Sequence, residues 1–312
     1  MRVLLQTDME GAAQITSVQQ VVPLWPDFWE SGRSLFTDDV VAAATGLLTG
    51  GASEVVVDDQ HLGGINSIIA ERLPERVYMA DRTVLNRQLR DNAFDAIFQV
   101  GRHSRWGTND GFIAHTQMPG VAFAIDNRPF TESHIVAWRA AVPLLGIAGD
   151  DTLSLQLDGA LAGVPFLPVK RSCALDKTQP IRKDRSRSRM AIRDFAARCA
   201  REWRGQSAAA LPMRFTLTVH LEPERARSLA ATHGLELVGR SVLKVDCENW
   251  WRDAEPAIQA GTTAAGRPFF EMIAPLNLTS LDRLAQVDAK TLTHARHFFS
   301  AWLKRPENVW NE

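Results

Sequence analysis

The chain has 312 residues, 45% of them hydrophobic and 23% charged, an ordinary balance for a globular protein long enough to bury a substantial core. Its formal net charge of −1 gives no overall basic field of the kind that draws nucleic acid or an anionic membrane. No run approaches the roughly 20 apolar residues of a membrane helix, and Cys173, Cys199 and Cys247 are too few and too scattered for a zinc knuckle or a disulfide framework.

The opening MRVLLQTDMEG has too short an apolar run for the core of a signal peptide, with carboxylates close behind it. Together with the cysteine usage, this predicts a cytoplasmic protein. Short apolar runs predict buried strands at Arg2–Thr7, Glu54–Val57, Ala96–Val100, Val121–Ile125, Pro143–Ala148 and Val164–Val169. Helical patterns fall between them at Thr37–Thr49, Ile65–Arg72 and Glu132–Ala141. Thr37-Asp-Asp reads as an N-cap followed by first-turn acids, and Gly50-Gly51 as the stop. Alternating strands and helices of this kind predict an α/β fold, a mostly parallel sheet sandwiched by helices.

A basic run, Arg182-Lys-Asp-Arg-Ser-Arg-Ser-Arg189, leads into an amphipathic helix over Ala191–Trp203 and reads as a solvated helix approach. Gly205–Pro212 then reads as a linker. Beyond it the pattern predicts a strand at Arg214–His220, a helix at Glu222–His233, a strand at Ser241–Val245 and helices at Trp250–Ala260 and Leu292–Leu303. The expected division is a metal-binding catalytic domain over residues 1–204 and a smaller C-terminal α/β subdomain with a helical extension over residues 212–312.

Several of the strands end in residues that carry chemistry. Asp8 and Glu10 follow the first strand, and extended chain points residues i and i+2 to the same side, about 6–7 Å apart. Two carboxylates at that spacing repel unless a cation lies between them. Val55-Val-Val-Asp-Asp-Gln-His61 places His61 after the second strand, with Asp59 as a neighbour suited to orienting it. Gly101-Arg-His103 repeats the arrangement after the third strand. His115 follows in Ala114-His-Thr116, and Glu132 opens a helix where it also suits the helix dipole. Each has a structural role open to it alone; together the six read as a two-metal hydrolase site. No G-x-G-x-x-G or G-x-x-x-x-G-K-[ST] follows a strand, and Gly-x-Ser-x-Gly is absent, which argues against nucleotide-phosphate binding and a serine hydrolase.

Asp8-Met-Glu-Gly11, Ser31-Gly-Arg33 ahead of Thr37, Asp59-Gln-His61, Asn66, Gly101-Arg-His103, His115-Thr116, Asn127-Arg-Pro129 with Glu132, and Gly149-Asp-Asp151 occur in that order. In order and spacing this set resembles the M55 family of peptidases, whose best-known member is a zinc D-aminopeptidase. The likeness is clear over residues 1–180 and weaker as far as residue 260. It implies two zinc ions per subunit, with Asp8 bridging, Glu10 and His61 completing one site, and His103 and Glu132 the other. It implies His115 as the catalytic histidine, assigned in the family as a nucleophile although proton transfer is the more conservative chemistry. It also implies a homo-oligomer, a decamer of two stacked pentameric rings with an inner channel. Two departures stand out: the segment from His103 to His115 is one residue longer than the family pattern and contains Trp106, and the last fifty or so residues extend past the family core.

The expected function is a two-zinc hydrolase of amide bonds, an aminopeptidase acting on short peptides or aminoacyl amides, D-residues included. The alternative is a metal-dependent amidase or hydrazidase acting on a non-peptide small-molecule amide. Sites of carboxylates and histidine also accept manganese or cobalt.

Overall fold

The computed structural model describes residues 1–248 apart from 65, 118–120, 141, 174–177 and 205–213, and beyond them Thr293. The expected linker at Gly205–Pro212 and, Thr293 apart, the helices expected at Trp250–Ala260 and Leu292–Leu303 lie outside these residues.

In chain order the first half runs β1 (Arg2–Thr7), α1 (Pro26–Thr49), β2 (Glu54–Asp59), β3 (Val77–Met79), α2 (Arg82–Arg90), β4 (Ala96–Arg102), β5 (Ala122–Ile125), β6 (Arg128–Pro129), α3 (Glu132–Ala140) and β7 (Leu144–Asp150). The second runs β8 (Phe166–Arg171), β9 (Gln179–Pro180), α4 (Arg185–Glu202), β10 (Phe215–His220), α5 (Pro223–His233), β11 (Glu236–Val238) and β12 (Val242–Cys247). The larger sheet has the order β3-β2-β1-β4-β7-β8-β9. It is parallel from β3 to β8, with β9 an antiparallel edge.

Both faces of this sheet are apolar because alternate strand residues meet different helices. Val3, Leu5, Val55, Val57, Phe98 and Val100 join Phe36, Val40 and Leu47 of α1 and Ile192, Phe195 and Ala196 of α4 in one cluster. Leu4, Val56 and Ile97 point the other way, to Leu85 and Leu89 of α2. The helix-covered, mostly parallel sheet is the architecture expected from the sequence.

Three expectations are corrected. The first helix starts at Pro26, not Thr37: Thr37 is buried in mid-helix, its hydroxyl donating to the Arg33 carbonyl one turn back. The helix expected at Ile65–Arg72 is a single 3-10 turn, Ala70–Arg72. The strand read at Val121–Ile125 lies in a second sheet, antiparallel throughout, of order β11-β12-β10-β5-β6. That sheet draws strands from both sides of residues 205–213, and its core combines Phe123 and Phe130 with Leu217, Val219, Leu229 and Leu243. The basic run becomes the start of α4, where Arg185 and Arg189, together with Arg72, pair with the buried Asp38 carboxylate.

Candidate metal centre

β2, β1 and β4 are neighbours and run parallel, so their carboxyl ends lie at one edge of the sheet, where open α/β sheets bind ligands. The segments leaving β1 and β4 are laced together: Asp8 N–H donates to the Val100 carbonyl at 3.0 Å and Gly11 N–H to the Gly101 carbonyl at 2.8 Å. Gly101 has φ +77, and a Cβ there would lie 1.7 Å from the Asp8 carbonyl oxygen. The approach of the two segments therefore requires glycine.

This lacing brings all six predicted residues together. Asp8 Oδ1 lies 3.4 Å from His61 Nδ1, and Asp8 Oδ2 lies 3.2 Å from His103 Nε2. Glu10 Oε2 is 2.9 Å from the same His61 nitrogen. Glu132 faces His103 Nε2 at 3.8 Å through Oε2 and His115 Nε2 at 3.7 Å through Oε1, and the His103 and His115 rings stack with centroids 4.3 Å apart. Two compact groups of ligand atoms result: Asp8, Glu10 and His61, and His103, His115 and Glu132, each within 4.8 Å.

Each histidine has one ring nitrogen against a backbone carbonyl. His61 Nε2 is 2.7 Å from the Val21 oxygen, His103 Nδ1 2.9 Å from Ser104 oxygen, and His115 Nδ1 2.7 Å from Ile113 oxygen. A carbonyl only accepts, so the nitrogen against it carries a proton and the other, which faces the carboxylates, is the one that would give up its proton to bind a metal ion. Metal-binding histidines are oriented in this way. His103 Nε2 is buried and lacks a hydrogen bond despite its nearness to Asp8, as expected of an atom set to donate to a cation. Imidazole nitrogens and carboxylate oxygens are also zinc's usual donors outside thiolate sites.

Electrostatics agree. Burial alone would raise the Asp8 carboxyl, but the contacts of His103 and His61, with the Arg102 charge, hold it well below the usual carboxylate range. Burial would lower both histidines; instead Glu10 and Asp8 lift His61 well above its ordinary value, and Asp8 with Glu132 and Glu10 raises His103 to about 10. The cluster stabilises positive charge between its carboxylates, whether a proton or a metal ion carries it.

Asp8, Glu10, His61 and His103 are buried, whereas the His115 and Glu132 side chains are 12% and 14% exposed, so the cluster meets solvent on their side. Asp59 accepts from the Ser67 backbone and hydroxyl and secures the segment after His61. Asp150 caps the following turn at Leu153, and Asp151 accepts from Ser172 N–H. Trp29 of α1 is buried and stacks on His61 with centroids 6.2 Å apart, while its neighbour Phe28 is exposed.

Several supports of the cluster carry little or no signal in the sequence. The fully buried Arg102 guanidinium lies 3.5 Å from Asp8 Oδ2 and donates to Gln60 Oε1. Its only sequence signal was its place between Gly101 and His103. The Val21 and Ser104 carbonyls carry no signal in their residue types.

The sequence model of the M55 peptidase family, described as D-aminopeptidase, matches residues 1–255. A D-aminopeptidase of Bacillus subtilis (strain 168) is 26% identical over 179 residues, which cover 55% of this chain and 64% of that protein, just under two thirds of its length. The solved structure of the Zn-dependent D-aminopeptidase DppA from Bacillus subtilis, described as a self-compartmentalizing protease, shares the fold. Its TM-score is 0.72 at 21% identity, covering 90% of this chain and 99% of that one. With more than half of its length matched, this chain belongs to the M55 family of peptidases, which are hydrolases of amide bonds.

Proposed function

We propose that the protein is a two-zinc aminopeptidase that removes the N-terminal residue, D-residues included, from short peptides or aminoacyl amides. The observation that carries the reading is the Asp8 carboxylate, whose two oxygens face different histidines, so that one side chain can span two ions. Glu10 and His61 would hold one ion with it, and His103 and Glu132 the other. Zinc is named because the solved relative is described as Zn-dependent. When bound, such a pair supplies Lewis acidity toward the scissile carbonyl and activates water near neutral pH.

The remaining work falls to this chain's own residues. His115 commits Nδ1 to the Ile113 carbonyl, which leaves Nε2, on the solvent side, to hold a proton and pass it to the leaving amine. Transfers of this kind typically contribute ~10²–10⁴-fold. The stack on His103 restrains the imidazole, and the buried Trp29 ring packs on His61.

Assembly follows the same reading. The solved relative is described as self-compartmentalizing, which supports a homo-oligomer, and for its form we keep the decamer of two stacked pentameric rings that the family resemblance implies. Among the described residues no helix is long and apolar enough to cross a membrane, and the three cysteines are free, which supports a cytoplasmic location. Light scattering of the purified protein tests the assembly; a monomer would refute it.

The deciding experiment pairs metal analysis with hydrolysis of D- and L-alanyl dipeptides, alanyl anilides, aryl amides and hydrazides, before and after chelation. The expected result is about two zinc ions per subunit and cleavage of alanyl substrates that chelation stops and zinc restores. Absence of metal overturns the proposal. Metal with cleavage confined to aryl amides or hydrazides moves the substrate outside peptides.

A further inference from the structure

Lys170 lies on β8, separated from β1 by β4 and β7, and is fully buried. Its ammonium donates to the carbonyl of Glu10 and, at 3.0 Å, to that of Ile15, the two ends of the arc that follows the Asp8–Glu10 pair. It also lies 4.2 Å from the centre of the buried Phe112 ring, three residues before His115. Between the two carbonyls, Ala13 N–H donates to the buried Asp39 carboxylate at 2.7 Å, so the arc is held at both ends and in the middle. Burying an ammonium is costly, and the charges of Asp150, Glu10, Asp39 and Asp151 around it offset part of that cost. What the charge obtains here is a simultaneous hold on two segments of the metal centre: two strong charge-assisted bonds on one and a ring face on the other.

Resting on the metal-centre reading above, we propose that Lys170 is a positioning residue of that centre, its ammonium pinning the Glu10 arc against the segment that carries His115. Residues that orient metal ligands from behind typically change metal affinity by ~10–100-fold when replaced, whereas a lysine that served only to hold the fold together would alter stability and leave the coordination of the folded protein unchanged.

The test is Lys170→Met, which keeps the length of the side chain and removes its charge, in the full chain. Two quantities are read on protein shown to be folded by circular dichroism: zinc affinity by competition with a chromophoric chelator, and the visible spectrum of the cobalt(II)-loaded protein. The expected result is zinc affinity ~10–100-fold weaker, with altered cobalt bands that report changed ligand geometry. Unchanged affinity with a superimposable cobalt spectrum overturns the proposal. Should the Met variant not fold, Lys170→Gln, which is polar but uncharged and one atom shorter and so loses the two charge-assisted bonds and the cation over the Phe112 ring, is read against the same two outcomes. The unsubstituted protein is measured alongside: if it binds no zinc, the metal-centre reading falls and this proposal with it, whereas zinc binding that the substitution leaves untouched overturns this proposal alone.

Discussion

The Asp8 carboxylate faces Nε2 of His103 at 3.2 Å across the seam between two neighbouring parallel strands. Its other oxygen is turned to His61, so one negative charge serves both halves of the cluster. Asp8→Asn keeps the shape and removes that charge. The expected outcome is a folded protein that retains less than half of the wild-type zinc after dialysis and has no measurable peptidase activity. Metal analysis with circular dichroism checks it, and full zinc occupancy in the variant would refute the bridging role.

His115 lies with Glu132 on the solvent side of the cluster, while the other four are buried, and in the proposed reading it carries a proton and is not a zinc ligand. His115→Ala should therefore leave zinc content unchanged while lowering kcat by ~10²–10⁴-fold, with KM little altered. Imidazole added to the variant should restore part of the rate. Turnover close to that of the unsubstituted enzyme would show that another group moves the proton.

Gly101→Ala tests the seam itself. The positive φ alone costs a non-glycine residue about 1–3 kcal/mol, and the new methyl would lie 1.7 Å from the Asp8 carbonyl, so the strand ends must part. The expected loss is about 3 kcal/mol or more, seen as a lower urea midpoint, with zinc lost alongside because Asp8 and His103 move relative to each other. Wild-type stability with normal zinc would mean that the segments have room the structure does not show.

Much of this was legible in the sequence because the parallel strands are buried on both faces and end in polar residues. Val55-Val-Val followed by Asp-Asp-Gln-His states both the strand and the ligand after it. Where reading failed, the cause lay in contacts between distant segments. Ser31-Gly32 interrupts a helical pattern, yet Gly32 sits inside α1 because a Cβ would lie 2.1 Å from the Gln20 carbonyl; the glycine marks close packing rather than a helix end. Thr37-Asp-Asp resembles a cap, yet Asp38 is paired with arginines and Asp39 with a loop. The apolar run of β5 announces a strand but not its partner, and β10 claims it. The orienting carbonyls of Val21, Ser104 and Ile113 belong to the backbone, so residue identity cannot reveal them.

Asp39 also makes stability depend on pH. Burial pushes its carboxyl up to about 7; the Ala13 N–H opposes this, Asp38 adds to it, and Lys170 and Arg185 oppose it in turn. In the unfolded chain the same carboxyl titrates near its ordinary 3.8. Between those two values the folded state keeps a proton that the unfolded state has released, so this residue's contribution to stability falls as pH rises through the window, by a few kcal/mol in all. Asn at position 39 offers Ala13 the same acceptor and has no charge to bury. Asp39→Asn should thus match the wild type in urea unfolding at about pH 4 and exceed it by a few kcal/mol at about pH 8. Other titrating groups are common to both proteins, so the difference between them isolates Asp39. A difference that stays constant across the window would show that the carboxyl remains ionised in the core, with the Lys170 and Arg185 charges outweighing its burial.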